Sequence, residues 1–176
     1  MIFTETRIRG AWVVELEGSA DERGMFARTF DAEEFRRRAL NPNVLQCGIS
    51  FNPLRGTLRG LHYQAQPHGE CKLIRCTRGA IFDVLVDVRP ASSTYGKWFG
   101  VELTPDSGTL VYAPEGVAHG LLTLTDGTEI SYQISARYEP PAARGLRWND
   151  PAFAINWPEP VRIISERDRT YPDWSK

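Results

Sequence analysis

The chain has 176 residues, 41% of them apolar and 24% charged, with a formal net charge of −1. That length suits one domain with a proper core, and the near-neutral charge supplies no basic surface for nucleic acid. No apolar run reaches membrane-spanning length, residues 1–7 lack the layout of a secretion signal, and three cysteines without a Cys-x-x-Cys pair argue against a disulfide scaffold or zinc ribbon. A cytoplasmic protein with Cys47, Cys71 and Cys76 as buried thiols is the expectation. Along the chain, β-branched, aromatic or alternating pieces recur at residues 12–16, 44–51, 57–64, 72–77, 80–88, 97–103, 109–113, 121–124, 129–135 and 155–157. Gly, Pro, Asn and Asp clusters separate them. The one helix expected is 31–39, with acids at its start and Arg36, Arg37 and Arg38 at its end, as the helix dipole favours. Many short strands between turns predict an all-β sandwich or barrel with few peripheral helices. The segment 150–176 carries Trp157, Tyr171 and Trp174 and is expected to pack on that barrel.

One spacing narrows the fold. Gly108, Pro114, Gly116 and His119 match the second cupin signature, in which a glycine-bounded strand delivers a histidine into a barrel mouth. The first signature reads His62-Tyr63-Gln64, then Glu70 and Gly79, so a histidine that would complete a metal site has become Gln64. His62, His119 and Glu70 could still supply three ligands, which weakens a metal site without removing it. The expected fold is a cupin-type jelly roll, a double-stranded β-helix, without a metal.

Strand alternation puts Leu58, Gly60, His62 and Gln64 on one face, and Glu70, Lys72, Ile74 and Cys76 on one face of the next strand. A hairpin of these two strands would set His62 beside Lys72. Arg59 has the wrong parity to join His62 unless the strand bulges, and Gly60 is where a bulge is tolerated. Ile130, Tyr132 and Ile134 form an inward stripe, so the Tyr132 phenol needs a polar partner there. An inward lysine is costly unless paired or used, and Asp83 or Asp87 could neutralise Lys72 as a plain buried pair. Singly, each of these residues has a packing explanation. Together, a histidine, an arginine and a lysine can take a proton from carbon, hold an oxyanion and grip a phosphate.

The chain resembles the dTDP-4-dehydrorhamnose 3,5-epimerase family almost end to end. The resemblance runs through Asp21-Glu22-Arg23-Gly24, residues 59–64, 72–88, Ser93-Thr94-Tyr95-Gly96-Lys97-Trp98, 114–120, Trp148-Asn149-Asp150-Pro151 and 165–168. It implies a cofactor-free isomerase of a 4-keto-6-deoxy sugar on a nucleoside diphosphate, inverting C3, C5 or both for deoxysugar and polysaccharide synthesis. It also implies a homodimer that exchanges N-terminal strands. By the same resemblance His62 is the general base, Asp168 its carboxylate partner, Lys72 the enolate stabiliser and Tyr132 the acid on the opposite face. Arg59, Arg23 and Arg167 would hold the diphosphate, His119 and Gln46 would face the same cleft, and Tyr138 would stack on the base.

Three positions depart from the family pattern: Arg28 stands where a glutamate is usual, Gly48 where an asparagine is, and Ala143 where a further glutamate is. All belong to the substrate-binding shell, so the nucleotide or sugar could differ, for instance CDP- or GDP-linked, or inversion could stop at one carbon. Two other classes stand beside this reading: a metal-dependent cupin enzyme using His62, Glu70 and His119, and a sugar-nucleotide binding module without catalysis.

Overall fold

The structure is a computed structural model and describes residues 1–175. Its strands run in chain order as β1 Ile2–Glu5, β2 Trp12–Glu15, β3 Gly18–Asp21, β4 Gly24–Ala27, β5 Gln46–Asn52, β6 Thr57–Gln64 and β7 Lys72–Arg78. They continue as β8 Ile81–Asp87, β9 Trp98–Leu103, β10 Thr109–Ala113, β11 Val117–Thr123, β12 Thr128–Ile134, β13 Ala143–Gly145 and β14 Ile163–Ile164. Two short helices, α1 Ala32–Arg37 and α2 Glu166–Arg169, sit between and after them.

One sheet has the order β1-β2-β10-β7-β12-β5; the other has β13-β6-β11-β8-β9, with β14 running parallel to β6. Neighbours within each sheet are otherwise antiparallel and mostly distant in sequence, which is the wrapped connectivity of a jelly roll. Inward residues of both sheets, among them Ile74, Ile81, Leu85, Val111, Leu121 and Ile130, make the central core. Alternation explains it: each strand buries every second side chain against the facing sheet.

The outer faces are covered differently. On the first sheet, α1 lays Phe35 against Tyr112, Leu73 and Leu110. Asp31 caps that helix by accepting from the amides of Glu33 and Glu34, and the chain leaves it with Ala39 at φ 56°. On the second sheet, Leu61, Val84 and Val86 are covered by Phe153, Ile155, Trp157 and Trp174. Trp157 donates to the Trp148 carbonyl at 2.9 Å, and Trp174 donates its amide to Asp150 at 2.6 Å.

Several expectations need correction. Residues 155–157 are not a strand; their apolar side chains serve as a lid on the second sheet rather than as a ladder. β6 and β7 do not form a hairpin, because they belong to opposite sheets. Cys47 is exposed rather than buried, since it faces outward on β5, an edge strand. β3 and β4 pair only with each other among the described residues, and nearly every residue in them is exposed.

Candidate active site

The site begins at a bulge. Between β6 and β11, His119 pairs with His62 while Leu121 pairs with Arg59, so β6 spends three residue steps where β11 spends two. The extra residue reverses the parity between Arg59 and His62, and both line the same cavity. Gly60 sits there with φ +118°. A Cβ on it would come within 2.5 Å of the Gly120 Cα and 2.8 Å of the His119 carbonyl, so only glycine fits. The same irregularity turns the Gly60 amide toward Asp168 Oδ2, 3.2 Å away.

The cavity measures about 640 Å³ and lies between the sheets. His62, Arg59 and His119 come from the second sheet; Lys72 and Tyr132 come from the first; Arg167 and Asp168 come from α2. Ser165 begins α2 by accepting from the Asp168 amide, so the helix start and the functional carboxylate are set by one contact. Nε2 of His62 lies 2.7 Å from Oδ1 of Asp168. A carboxylate only accepts, so the neutral ring carries its proton on Nε2 and keeps a lone pair on Nδ1. Burial pushes the Asp168 carboxyl up, but hydrogen bonds from His62, Gly60 and Ser165 outweigh it and hold the group below its ordinary value. Asp168 is therefore ionised at neutral pH and suited to stabilise an imidazolium.

Lys72 is paired with Glu70 at 2.9 Å, not with Asp83 or Asp87, and it also donates to the His62 carbonyl at 3.1 Å. The first is an ion pair and the second a hydrogen bond, so the ammonium keeps donor capacity for a ligand. Asp83 instead pairs with His119, Oδ1 to Nε2 at 2.6 Å, and Asp87 binds Arg89, Ser92 and Thr94. Tyr132 meets His119 edge-on, ring centroids 6.0 Å apart. Burial pushes its phenol well above the usual range, the Asp83 charge adds to this, and Arg59 opposes it. A neutral phenol at physiological pH can give a proton rather than take one.

Arg59 is held by Asn52, whose buried Oδ1 accepts from the guanidinium Nε at 2.6 Å. A smaller recess of about 210 Å³ adjoins the cavity and shares His62, Lys72 and Arg167 with it. Gln46, Tyr138 and Ala143 line this recess, and Gln46 accepts from the Tyr138 amide at 2.8 Å. Gly48 stands opposite Tyr132 on the adjacent strand, with open space where a Cβ would project. Arg23 and Arg28 are not brought to the cavity within this chain. Arg23 is paired with Asp21 on the exposed β3–β4 turn, and Arg28 lies in a surface depression with Asp31 and Glu34.

The donors do not fit a cupin metal centre. His62, His119 and Glu70 each engage a different partner, and no three His, Cys, Asp or Glu side chains gather as ligands among the described residues. Sequence reasoning missed Glu70 as the partner of Lys72, Asp83 as the partner of His119 and Asn52 as the anchor of Arg59. For α2 a signal existed: Ser165 three residues before Asp168 has the spacing of a capped helix start.

Residues 5–176 match the family described as dTDP-4-dehydrorhamnose 3,5-epimerase. A protein of that name from Sinorhizobium fredii is 42% identical over 173 residues, covering 98% of this chain and 89% of that one. The crystal structure of a dTDP-4-dehydrorhamnose 3,5-epimerase from Bacillus anthracis, with TDP and PPi bound, superposes with a TM-score of 0.94 at 34% identity, covering 98% of this chain and 99% of that one. ChmJ, a 3'-monoepimerase from Streptomyces bikiniensis solved with dTDP-quinovose, gives a TM-score of 0.88 at 35% identity, covering 96% and 85%.

Proposed function

The chain belongs to the dTDP-4-dehydrorhamnose 3,5-epimerase family, a family of nucleotide-sugar isomerases, and from that premise we propose how its own residues carry the reaction. The substrate is a 4-keto-6-deoxyhexose on a nucleoside diphosphate, inverted at C3, C5 or both. The C4 carbonyl acidifies the hydrogens on both neighbouring carbons. His62 takes one of them, the C–H electron pair moves into a C4 enolate, and Asp168 stabilises the imidazolium that forms. An N–H of Lys72 bonds the enolate oxygen. Tyr132 returns a proton to the other face of the ring, and the ketone re-forms with opposite stereochemistry. No step requires a metal or a redox cofactor.

The observation that carries this reading is the placement of His62 and Tyr132 on opposite sheets lining one cavity. A base and an acid on facing walls give inversion, whereas a single group would return the proton to the side it left. Arg59 and Arg167, which line the same cavity, take the diphosphate, and the recess of Gln46 and Tyr138 takes the base.

The protein acts as a homodimer. Phe26 on β4 is 73% exposed, and the β3–β4 hairpin carrying it pairs with no other strand among the described residues. Seating that hairpin on a second copy would cover it and bring Arg23 to the partner's cavity.

Incubation with dTDP-4-keto-6-deoxyglucose in deuterated water tests the reaction: deuterium is expected at C3, C5 or both. The open room beside Gly48 and the Arg28 charge make the nucleotide the finer question. Thermal shifts with dTDP, CDP, UDP and GDP identify it, since the ligand that binds only the folded form raises its stability. Absence of exchange with the keto sugar of every one of these nucleotides sinks the proposal.

A further inference from the structure

Tyr171 takes no part in the proton transfers described above, yet it touches both halves of the site. It follows α2, four residues after Arg167, and its hydroxyl accepts from the Arg167 Nε at 2.7 Å. Its ring meets the His62 imidazole edge-on, centroids 6.3 Å apart at 68°. The seat for this ring is a glycine. Gly145 on β13 pairs with His62 on β6, and a Cβ there would fall 2.1 Å from the Tyr171 Cζ and 2.6 Å from its hydroxyl. The phenol tip thus rests on strand backbone that any larger residue would deny it.

We propose that Tyr171 is a positioning residue that fixes the Arg167 guanidinium for the diphosphate while its ring lies edge-on against His62. The inference rests on the diphosphate role given to Arg167. A free arginine has several rotatable bonds to freeze when it grips a phosphate; one already tied at Nε loses less freedom on binding. Binding through Nε also leaves the terminal nitrogens for a bidentate contact. The fold does not need the hydroxyl for α2, which Ser165 caps.

The test uses the full chain with Tyr171→Phe, Gly145→Ala, Arg167→Ala and the Tyr171→Phe/Arg167→Ala pair. Pyrophosphate binding is measured by calorimetry, and KM and kcat are measured on the keto sugar. Phenylalanine keeps the ring but removes the acceptor, and alanine at 145 displaces the phenol tip. Each is expected to weaken pyrophosphate binding and raise KM about five- to tenfold, with kcat changed less than about twofold. In the Arg167→Ala background, Tyr171→Phe should have no further effect. Unchanged pyrophosphate binding in Tyr171→Phe overturns the proposal, as do effects that multiply with those of Arg167→Ala. So does an equal fall in kcat and binding with a lowered melting temperature, which marks plain packing. A parent protein that shows this pyrophosphate pattern without deuterium exchange overturns the epimerase reading and leaves the Tyr171–Arg167 coupling standing.

Discussion

His62 and His119 stand opposite each other on adjacent antiparallel strands, yet each is bound to a different carboxylate. The His62 side chain is 37% exposed to the cavity, whereas His119 is buried with Asp83 beneath it. Two chemically alike pairs therefore have unlike access to a substrate.

That difference predicts unequal consequences. Asp168→Asn removes the charge that stabilises imidazolium and should lower the deuterium exchange rate about 10²–10⁴-fold, the range for a general base. Asp83→Asn acts on the buried ring and should lower exchange less than about tenfold. Comparing the two variants by NMR wash-in checks this. Equal losses would show that His119, not His62 alone, carries proton transfer.

Tyr132→Phe should separate exchange from inversion. The phenol is held neutral by burial and by the nearby Asp83 charge, which suits the proposed role of acid and not that of base. Without it His62 can still remove a proton and return it to the same face. Deuterium incorporation into unreacted substrate should persist while net product falls by about 10²-fold or more. Loss of both together would assign Tyr132 to the first step.

The turn after β8 offers a stability test away from the cavity. Burial pushes Asp87 up, but hydrogen bonds from Arg89, Ser92 and Thr94 prevail and bring it to about 2. Its folded value lies below the unfolded one, so the stabilisation is complete above roughly pH 4 and lost as pH falls through the folded value. Asp87→Asn should cost on the order of 2 kcal/mol at pH 7, and the difference from the parent should shrink between about pH 4 and 2. Urea unfolding at both ends of that range measures it. The Ser-Thr-Tyr-Gly-Lys-Trp motif thus has a structural use: Thr94 holds this carboxylate, and Tyr95 accepts from Trp174.

Much of this was legible from residue order. β6 and β10 have the bounds that β-branched alternation and flanking glycines indicate, and the parity conflict of Arg59 with His62 pointed to a bulge at Gly60. Other parts carried no local signal. β3 is small and polar, and in β4 Met25 and Phe26 are adjacent and both exposed, so no alternating buried face marks either strand. The Glu70–Lys72 and Asp83–His119 pairs depend on which strands share a sheet, and strand order is a non-local property. α2, by contrast, is too short at four residues for helical periodicity to register, but the capping spacing of Ser165 and Asp168 marked its start.

The position of Arg23 gives the strongest test of the proposed dimer. In its own chain it lies on an exposed hairpin, paired with Asp21 and outside the cavity. Arg23→Ala should nevertheless lower activity about tenfold or more if the residue completes a partner's diphosphate site. Mixing that variant with His62→Ala then becomes informative. After subunit exchange, half of the dimers pair the two variants, and in each of these one cavity holds an intact His62 with an intact Arg23 from its partner. Two poorly active proteins should together recover about a quarter of the parent activity, as the symmetry of a two-fold exchange requires. Activity that stays at the mean of the two variants, with subunit exchange verified by mass spectrometry, would mean that each cavity is built from a single chain.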